Sequence, residues 1–409
     1  MRKMKDSGVE WIGEIPKDWN CMRLKFAFGN SNVGESVDKE LYSSDENGYI
    51  FYTAGANPVK TSYTEFPMWK YTTDNDILLA RNGTPYIYLP SKDAVYSDHI
   101  IRINIKDGYC RRFLRYCLQR SIESIIVDSV SIATWSISLW KEQKLPLPYY
   151  HEQKYLADYL DSKCSKIDEI IEKQQAIIKK LKEYKFSIIT EAVTKGINPD
   201  VELKDSTIDM CEQIPVHWGI SQNRYLFLLR DEKNYKPLEE VRLLSLYTDL
   251  GVFPHGEQEE RGNKAVKAEG YKVVYENDIV VNIILAWMGA IGRSAYDGVT
   301  SPAYDIYKPN ENVCSRYYHY LYRTKPFSAE CYKYGRGIMA MRWRTYSSEF
   351  KSIKVPVPPY IEQCQIADYL DSKCEMLDKT IADRNKAIDI LQEYKKSFIY
   401  EVVTGKKEV

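Results

Sequence analysis

Three places in this 409-residue chain bring together residue types that could do covalent chemistry. Val357-Pro358-Pro359-Tyr360 has the outline of the (Asp/Asn/Ser)-Pro-Pro-(Tyr/Phe) motif with which amino-methyltransferases hold a target amino group. The first residue of that motif must accept a hydrogen bond, and valine has no acceptor. No glycine-rich cofactor loop follows an early strand, since Gly335-Arg336-Gly337 stands isolated. Pro199-Asp200-Val201-Glu202-Leu203-Lys204 contains the acids and lysine of a metal-dependent nuclease. In that chemistry the carboxylates come from separate strands and converge on a metal, whereas here they crowd into one short linker. His99, His151, His217, His255 and His319 are scattered, none at ligand or triad spacing from a cysteine or acid, and no phosphate-binding loop is present. These residues predict a chain that is not an enzyme, with no metal and no cofactor of its own.

Other residues suit recognition better than catalysis. Arg81-Asn82-Gly83-Thr84 sets an arginine, an amide and a hydroxyl at a glycine turn after an apolar run, and loops on rigid scaffolds are where recognition sits. Its rough counterpart is Trp287-Met288-Gly289 with Arg293. A second pair of candidates is Thr134-Trp135-Ser136-Ile137-Ser138 and the cationic, acid-poor run Arg336-Gly337-Ile338-Met339-Ala340-Met341-Arg342-Trp343-Arg344. Arg102 stands with Lys106, Arg111, Arg112, Arg115 and Arg120 among Tyr109, Phe113 and Tyr116. Lysine and arginine neutralise phosphates, and arginine also reads guanine through two hydrogen bonds. The alternatives are ordinary ones: a charged helix over 111–120 that shows a solvated face, and Trp135 or Trp343 as core.

Composition says where such signals must be sought. Lysine plus arginine and aspartate plus glutamate both number 57, so no global positive charge announces a polyanionic partner and the evidence has to be local. Nine cysteines form no zinc-type cluster, and their odd number fits reduced thiols. No apolar run is long enough for a membrane helix and no signal-peptide core follows Met1, so the chain is expected in the cytoplasm, away from membrane. The 34 tyrosines suggest stacking surfaces but are expected to reflect core packing and compositional bias, and they decide nothing alone.

The elements that must position these residues are duplicated. From Pro146 the sequence realigns without a gap on Pro356, running to Thr194 and Thr404, with about half of the roughly fifty positions identical. Ala-Asp-Tyr-Leu-Asp-Ser-Lys-Cys occurs at 157–164 and again at 367–374. An opener, Lys5-Asp6-Ser7 with Ile15-Pro16 and Trp19, returns as Lys204-Asp205-Ser206 with Ile214-Pro215 and Trp218. Between opener and repeat lie dissimilar stretches, about 20–145 and 219–355, which read as α/β: strands at 76–80, 100–105, 278–281 and 303–307, turns at Asn82-Gly83 and Asp107-Gly108.

Each repeated block reads as one long helix. Leu160, Ile167, Leu181 and Ile188, with Cys164, Ile171 and Ile178, form a heptad seam; Leu370, Leu377, Leu391 and Phe398, with Cys374, Ile381 and Ile388, repeat it. Gln174 and Arg384 interrupt both seams at equivalent places. A helix of about 40 residues is about 60 Å long, too long to stand alone, so the two are expected to pair antiparallel. The expected fold is thus mixed α+β: two variable α/β domains separated by two long helices packed as an antiparallel coiled coil, approximately two-fold symmetric. The expected limits are 1–150, a helix over 151–195, a linker at 196–204, a second domain over 205–357 and a helix over 358–409.

The opener KDSGVEWIGEIPKDW (5–19), the Pro-x-Pro and Glu-Gln at the start of each long helix, and the bridge TKGINPDVELKDS (194–206) together resemble the specificity subunits of Type I restriction–modification systems. The resemblance spans the whole chain. The second opener departs from it, with Met210-Cys211-Glu212 where the first has Trp11-Ile12-Gly13. It implies that each variable domain reads one half of a split double-stranded DNA site. It also implies that helices and domains dock two methyltransferase (modification) subunits, to which motor-nuclease (restriction) subunits attach. S-adenosylmethionine and ATP with magnesium would then belong to those partners. Two rival readings remain at this point: a modification enzyme acting alone, and a cytoplasmic coiled-coil adaptor with two protein-binding domains and no DNA contact.

Overall fold

The structure, a computed structural model, describes residues 2–43, 48–128, 134–248, 250–256, 268–337 and 343–409. The chain divides into two compact units, one of residues 1–175 with 385–409 and one of residues 176–384. The division falls inside both long helices, so each helix gives its first half to one unit and its second half to the other.

The first unit is built on an antiparallel sheet of β1 (Phe28–Val33), β2 (Asp76–Ala80), β3 (Ile87–Tyr88) and β4 (Ile100–Ile105), in the order β1-β4-β2-β3. Side chains alternate across a strand. Ile77, Leu79, Ile101 and Ile103 therefore face one core, with Phe113, Leu114, Cys117 and Leu118 of helix α1 (Arg111–Asp128). Leu78, Ala80 and Ile100 face a second, smaller cluster with Tyr52, Tyr88 and Tyr96. The strands and turns expected at 76–80, 100–105, Gly83 and Gly108 all form, the two glycines at left-handed φ of 67° and 88°. A ribbon pairing Asn20–Arg23 with Lys144–Leu147 brings the chain to the first long helix, α2 (Tyr150–Lys195).

The second unit repeats this plan. Its sheet runs β5-β8-β6-β7, from β5 (Phe227–Arg230), β6 (Ile279–Asn282), β7 (Ile291–Arg293) and β8 (Tyr304–Pro309). Ile279, Val281 and Tyr307 pack on Tyr317, Tyr318, Leu321 and Tyr322 of helix α3 (Ser315–Tyr322). The ribbon pairs Gly219–Gln222 with Lys354–Val357 and leads to the second long helix, α4 (Tyr360–Val403). Buried Met210 joins this unit's core, so the altered second opener keeps an apolar anchor.

The two long helices pair antiparallel inside each unit. In the first, the ring of Tyr159 lies 5.7 Å from that of Phe398 while Asp168 accepts from Lys395 Nζ at 2.6 Å, so one helix advances as the other retreats. In the second, Lys185 Nζ donates to Asp378 at 2.6 Å, and Ala192 and Val193 share a core with Ile366, Ala367 and Leu370. The predicted seam residues Leu160, Ile167, Ile171, Ile178, Leu370, Leu377, Ile381 and Ile388 are buried, and Leu181 and Leu391 are half-buried at equivalent positions. Each helix ends on a left-handed glycine pressed against an opener. Gly405 (φ 70°) meets Pro16 and Trp19, and Gly196 (φ 81°) meets Pro215 and Trp218.

One buried amide joins the α/β domain to the long helix in each unit. Gln153 Nε2 donates to the Pro148 carbonyl at 2.9 Å while its Oε1 accepts from the Cys110 amide at 2.9 Å. Gln363 does the same with Pro358 and Cys314, again at 2.9 Å each. Removing such a side chain strands a buried backbone donor, which costs about 1–3 kcal/mol. Gln153→Leu and Gln363→Leu are each expected to lower stability by about that amount, read as a lower urea midpoint at unchanged denaturant slope. Parent-like midpoints in both variants would deny the amides that role.

A half-buried imidazole gives the second unit a pH dependence. The His319 Nδ1 accepts from the Arg293 amide at 3.1 Å, and burial, with Arg323 and Arg293 nearby, pushes its pKa from 6.5 down to about 3. Above pH 6.5 both folded and unfolded chains hold it neutral. As pH falls toward 3 the unfolded chain takes up a proton that the folded chain refuses, so stability declines by about 1.4 kcal/mol per pH unit for this group. The parent is expected to lose about 2 kcal/mol more than His319→Gln between pH 6.5 and pH 5 in urea titrations. Equal losses would refute the assignment.

Candidate nucleic-acid interface

The loops at one end of the first sheet bring three of the predicted segments together. Arg81 leaves β2, donates its amide to the His99 carbonyl at 2.8 Å and accepts at its own carbonyl from the Trp135 amide at 2.6 Å. Asn82 pairs with Thr134 as an antiparallel bridge, and its Nδ2 lies 2.9 Å from His99 Nδ1. Gly83 turns in open space, which leaves Thr84 exposed at the tip of the hairpin to β3. Exposed Ser136 caps the short helix Ile137–Lys141, its Oγ accepting from the Leu139 amide at 3.2 Å, and exposed Ser138 lies within that helix. The backbone around the display is thus fixed from three sides, while amide, hydroxyl and imidazole groups remain at the surface.

In the second unit the equivalent lashing runs from the Thr345 amide to the Ile283 carbonyl at 2.9 Å. The display differs. Trp287, whose Nε1 donates to Ile284 at 3.0 Å, lies 5.8 Å from the ring of Tyr332, and Tyr332 stacks on Trp343 at 4.9 Å and 22°. Trp343 Nε1 also donates to the Tyr332 carbonyl at 2.9 Å. Arg336 and Arg344 exchange two backbone hydrogen bonds of 2.9 Å, which closes the cationic run into a loop. Arg336 keeps 78% of its side chain in solvent even with Nε 3.0 Å from Glu349. Gly335 is required here, because a Cβ would sit 2.5 Å from Trp343 Nε1. Arg342 lies outside the described residues.

Several cations that looked available in sequence are committed to internal contacts. Arg102 donates to the carbonyls of Trp69 and Tyr71 at 2.9 and 2.8 Å, with Asp76 at 3.6 Å, and only 14% of its side chain is exposed. Arg293 bonds Asn277 at 2.7 Å and Glu276 at 3.3 Å. Trp135 is core at 1% exposure, packed on Trp140. Arg111 donates to the Asp76 and Pro90 carbonyls, and Arg120 pairs with Glu123. Arg112 is a strut to Asp158 and Asp161 at 2.6 and 2.7 Å, and hydrogen bonding to Asp158, then Asp161, holds its guanidinium above the ordinary range. Arg316 repeats the strut with Asp368 and Asp371 at 2.8 Å each. Tyr116 and Tyr320 complete both struts through Asp161 and Asp371, their phenols pushed up first by burial and then by the carboxylate. The helix over 111–120 is a clamp rather than a solvated face.

Sequence reasoning passed over His99 and Tyr332, which complete the two displays. A lone histidine or one tyrosine among 34 carries no signal, since its partner is set by strand pairing. The struts did carry one: Arg-x-x-x-Tyr at 112–116 and 316–320 beside Asp-x-x-Asp at 158–161 and 368–371. Among the described residues no three metal-ligating side chains gather, and no helix is long and apolar enough to cross a membrane.

Residues 16–191 match the family described as the Type I restriction modification DNA specificity domain. Along nearly its whole length the chain is similar to two proteins of Methanocaldococcus jannaschii. The MjaX specificity subunit of a type I restriction enzyme is 25% identical, covering 97% of this chain and 96% of that one. The type I restriction enzyme MjaVIII specificity subunit is 23% identical, covering 97% and 94%. Two solved structures share the fold. One comes from work on complex assembly and conformational transition of the type I R-M system, with TM-score 0.68 and 12% identity over 95% of this chain and 98% of the other. The other is the HsdS subunit from Thermoanaerobacter tengcongensis, with TM-score 0.52 and 14% identity over 96% and 98%. Residues 16–191 thus match the DNA specificity domain of Type I restriction–modification systems, and along nearly its whole length the chain is similar to proteins named as specificity subunits of such systems.

Proposed function

We propose that each unit reads one half of a bipartite duplex site, that the helix pair sets the gap between the halves, and that two methyltransferase subunits dock on helices and domains. The observation that carries this reading is a common scaffold with unlike displays. Sheet order, strut and glutamine clamp are the same in both units, while the loops at the sheet end offer Arg81, Asn82 and Thr84 in one and Trp287, Trp343 and Arg344 in the other. Two copies of one reader that differ only in what they present suit two different half-sites. Base contacts would choose the sequence and phosphate contacts the register.

Exposed Tyr184 and Tyr394 stand at equivalent positions on the two helices, which suits duplicated docking of two like subunits. S-adenosylmethionine would then be bound by those methyltransferases, ATP and magnesium by motor-nuclease subunits, and the assembly would work in the cytoplasm.

The test is to express the chain with its methyltransferase, map methylated positions across a genome, and repeat with variants. Asn82→Ala with Thr84→Ala is expected to relax one half of the sequence and Arg344→Ala the other, each at about 1–3 kcal/mol of discrimination. A change in both halves from either variant would refute independent reading. Adding one heptad after Leu181 and one after Leu391 is expected to lengthen the gap by about three base pairs, from about 10 Å of added helix, with half-site bases unchanged. An assembled variant that methylates the original spacing would show that the helices do not set it.

A further inference from the structure

A turn of the first unit holds two large apolar side chains in solvent with unusual firmness. In Met68–Lys70, Met68 is 89% exposed and Trp69 57% exposed, following Pro67. The turn beneath them is fixed by buried charge. Arg102, paired with Asp76, donates to the carbonyls of Trp69 and Tyr71 at 2.9 and 2.8 Å. Lys70, itself 6% exposed, donates to the carbonyls of Val33 and Gly34 and pairs with Glu35 at 3.0 Å, with its ammonium 4.4 Å from the centre of the Trp69 ring. Burying a lysine and an arginine is unfavourable unless each is fully bonded. Here both are, and the result is a rigid pedestal under exposed apolar groups.

The pedestal stands at the end of the sheet that carries the recognition loops. Val33 closes β1, the Gly34 amide donates to Ile100 at 3.3 Å, and the Arg81 amide donates to His99 at 2.8 Å. The anchor of the turn and the Arg81 loop are therefore about two strand spacings apart, about 10 Å. Along the chain the exposed residues flanking the knob are polar, Thr64, Glu65, Thr73, Asp74 and Asn75, and the exposed ring of Tyr49 packs on Phe66 and Tyr71 beside it. Two apolar side chains with one neighbouring ring are far too small for a stable protein interface, which needs about 800 Å² on each partner. They are the right size for a wedge between base steps, a task done by one or two apolar side chains. Glu65 and Asp74 would repel phosphates, so the contact falls on bases and not on the backbone. At the corresponding places the second unit does not repeat this knob: Asp278, which caps the Tyr275 amide as Asp76 caps that of Thr73, is preceded there by Gly270 and half-buried Tyr271.

We propose that Met68 and Trp69 form an apolar probe that seats against a base step of duplex DNA in or beside the half-site of the first unit. This rests on the DNA-reading function proposed above. The probe is a duplex carrying the methylated sequence found by genome mapping, with 2-aminopurine placed in turn along that half-site and its flank, bound to the subunit assembled with its methyltransferase. The parent is expected to raise 2-aminopurine fluorescence at one step. Trp69→Ala is expected to abolish that rise and weaken binding about tenfold, as loss of a base-stacking aromatic does. Trp69→Phe should retain most of both. Met68→Glu, a change at a solvent position that folding tolerates, should weaken binding further by setting a carboxylate against the duplex. The dependence of affinity on salt should be unchanged in Trp69→Ala, because no phosphate contact is removed. Parent-like affinity and fluorescence in Trp69→Ala and Met68→Glu would overturn the probe and leave the DNA-reading function standing. Weakened assembly of the variants with methyltransferase, with parent-like DNA affinity in the complex that does form, would make the knob a protein contact and overturn it too. A parent complex without sequence-specific, salt-sensitive binding would overturn both readings.

Discussion

The clamp between each recognition domain and its long helix is the contact on which the rest of this molecule depends. A glutamine amide, 1% exposed in both units, bonds at once to the carbonyl before the helix and to the amide that opens the neighbouring helix of the domain. An arginine strut and a tyrosine hydroxyl reach the next aspartates along the same helix face. An apolar interface alone could slide or rotate by small steps at little cost. Hydrogen bonds to fixed carbonyls and amides permit one register, a restriction that the proposed reading of bases at fixed positions would require.

Given that clamp, what remains free to vary is the far end of each sheet. Strand pairing fixes where loops leave the sheet, and one backbone bond in each unit ties the hairpin segment to the segment before the last short helix, from Trp135 to Arg81 and from Thr345 to Ile283. Most side chains beyond that tie lie at or near the surface, although Trp287 still packs against the core, so they can differ widely between units that share a scaffold. Arg81 with Asn82 and Thr84 makes a polar display, whereas Trp287, Tyr332 and Trp343 make an aromatic one. Recognition surfaces diverge where substitutions carry no folding penalty.

Charge is used in the same economical way. With 57 cations and 57 acids the chain has no field of its own to steer a duplex, and many of its arginines are bonded internally. A strut between two separate aspartates suits the planar guanidinium, whose fixed fork lets Arg112 and Arg316 each hold two carboxylates along one helix face. Counting basic residues along the sequence therefore overstates the available positive surface.

The sequence by itself determined the duplication, the long helices, their seam and the main strands, because these rest on periodicity and repetition that one chain displays in full. Leu160 and Leu370, or Ile171 and Ile381, are buried at matching places because a heptad written twice folds twice. It also singled out the loops after β2 and β6 and the segments before the short helices, leaving Trp135 open between surface and core, while that these segments meet came only from the backbone bonds of the fold. Tertiary structure decided the rest. Arg102 and Arg293 became internal ties, Trp135 became core, and His99 and Tyr332 joined the displays, because each outcome depends on which backbone carbonyl or ring a fold brings within 3 to 6 Å across many residues. Residue type sets what a side chain can bond. Only the packed chain sets what lies within its reach, and for a long cation beside a sheet that distance decides between a strut and a contact offered to DNA.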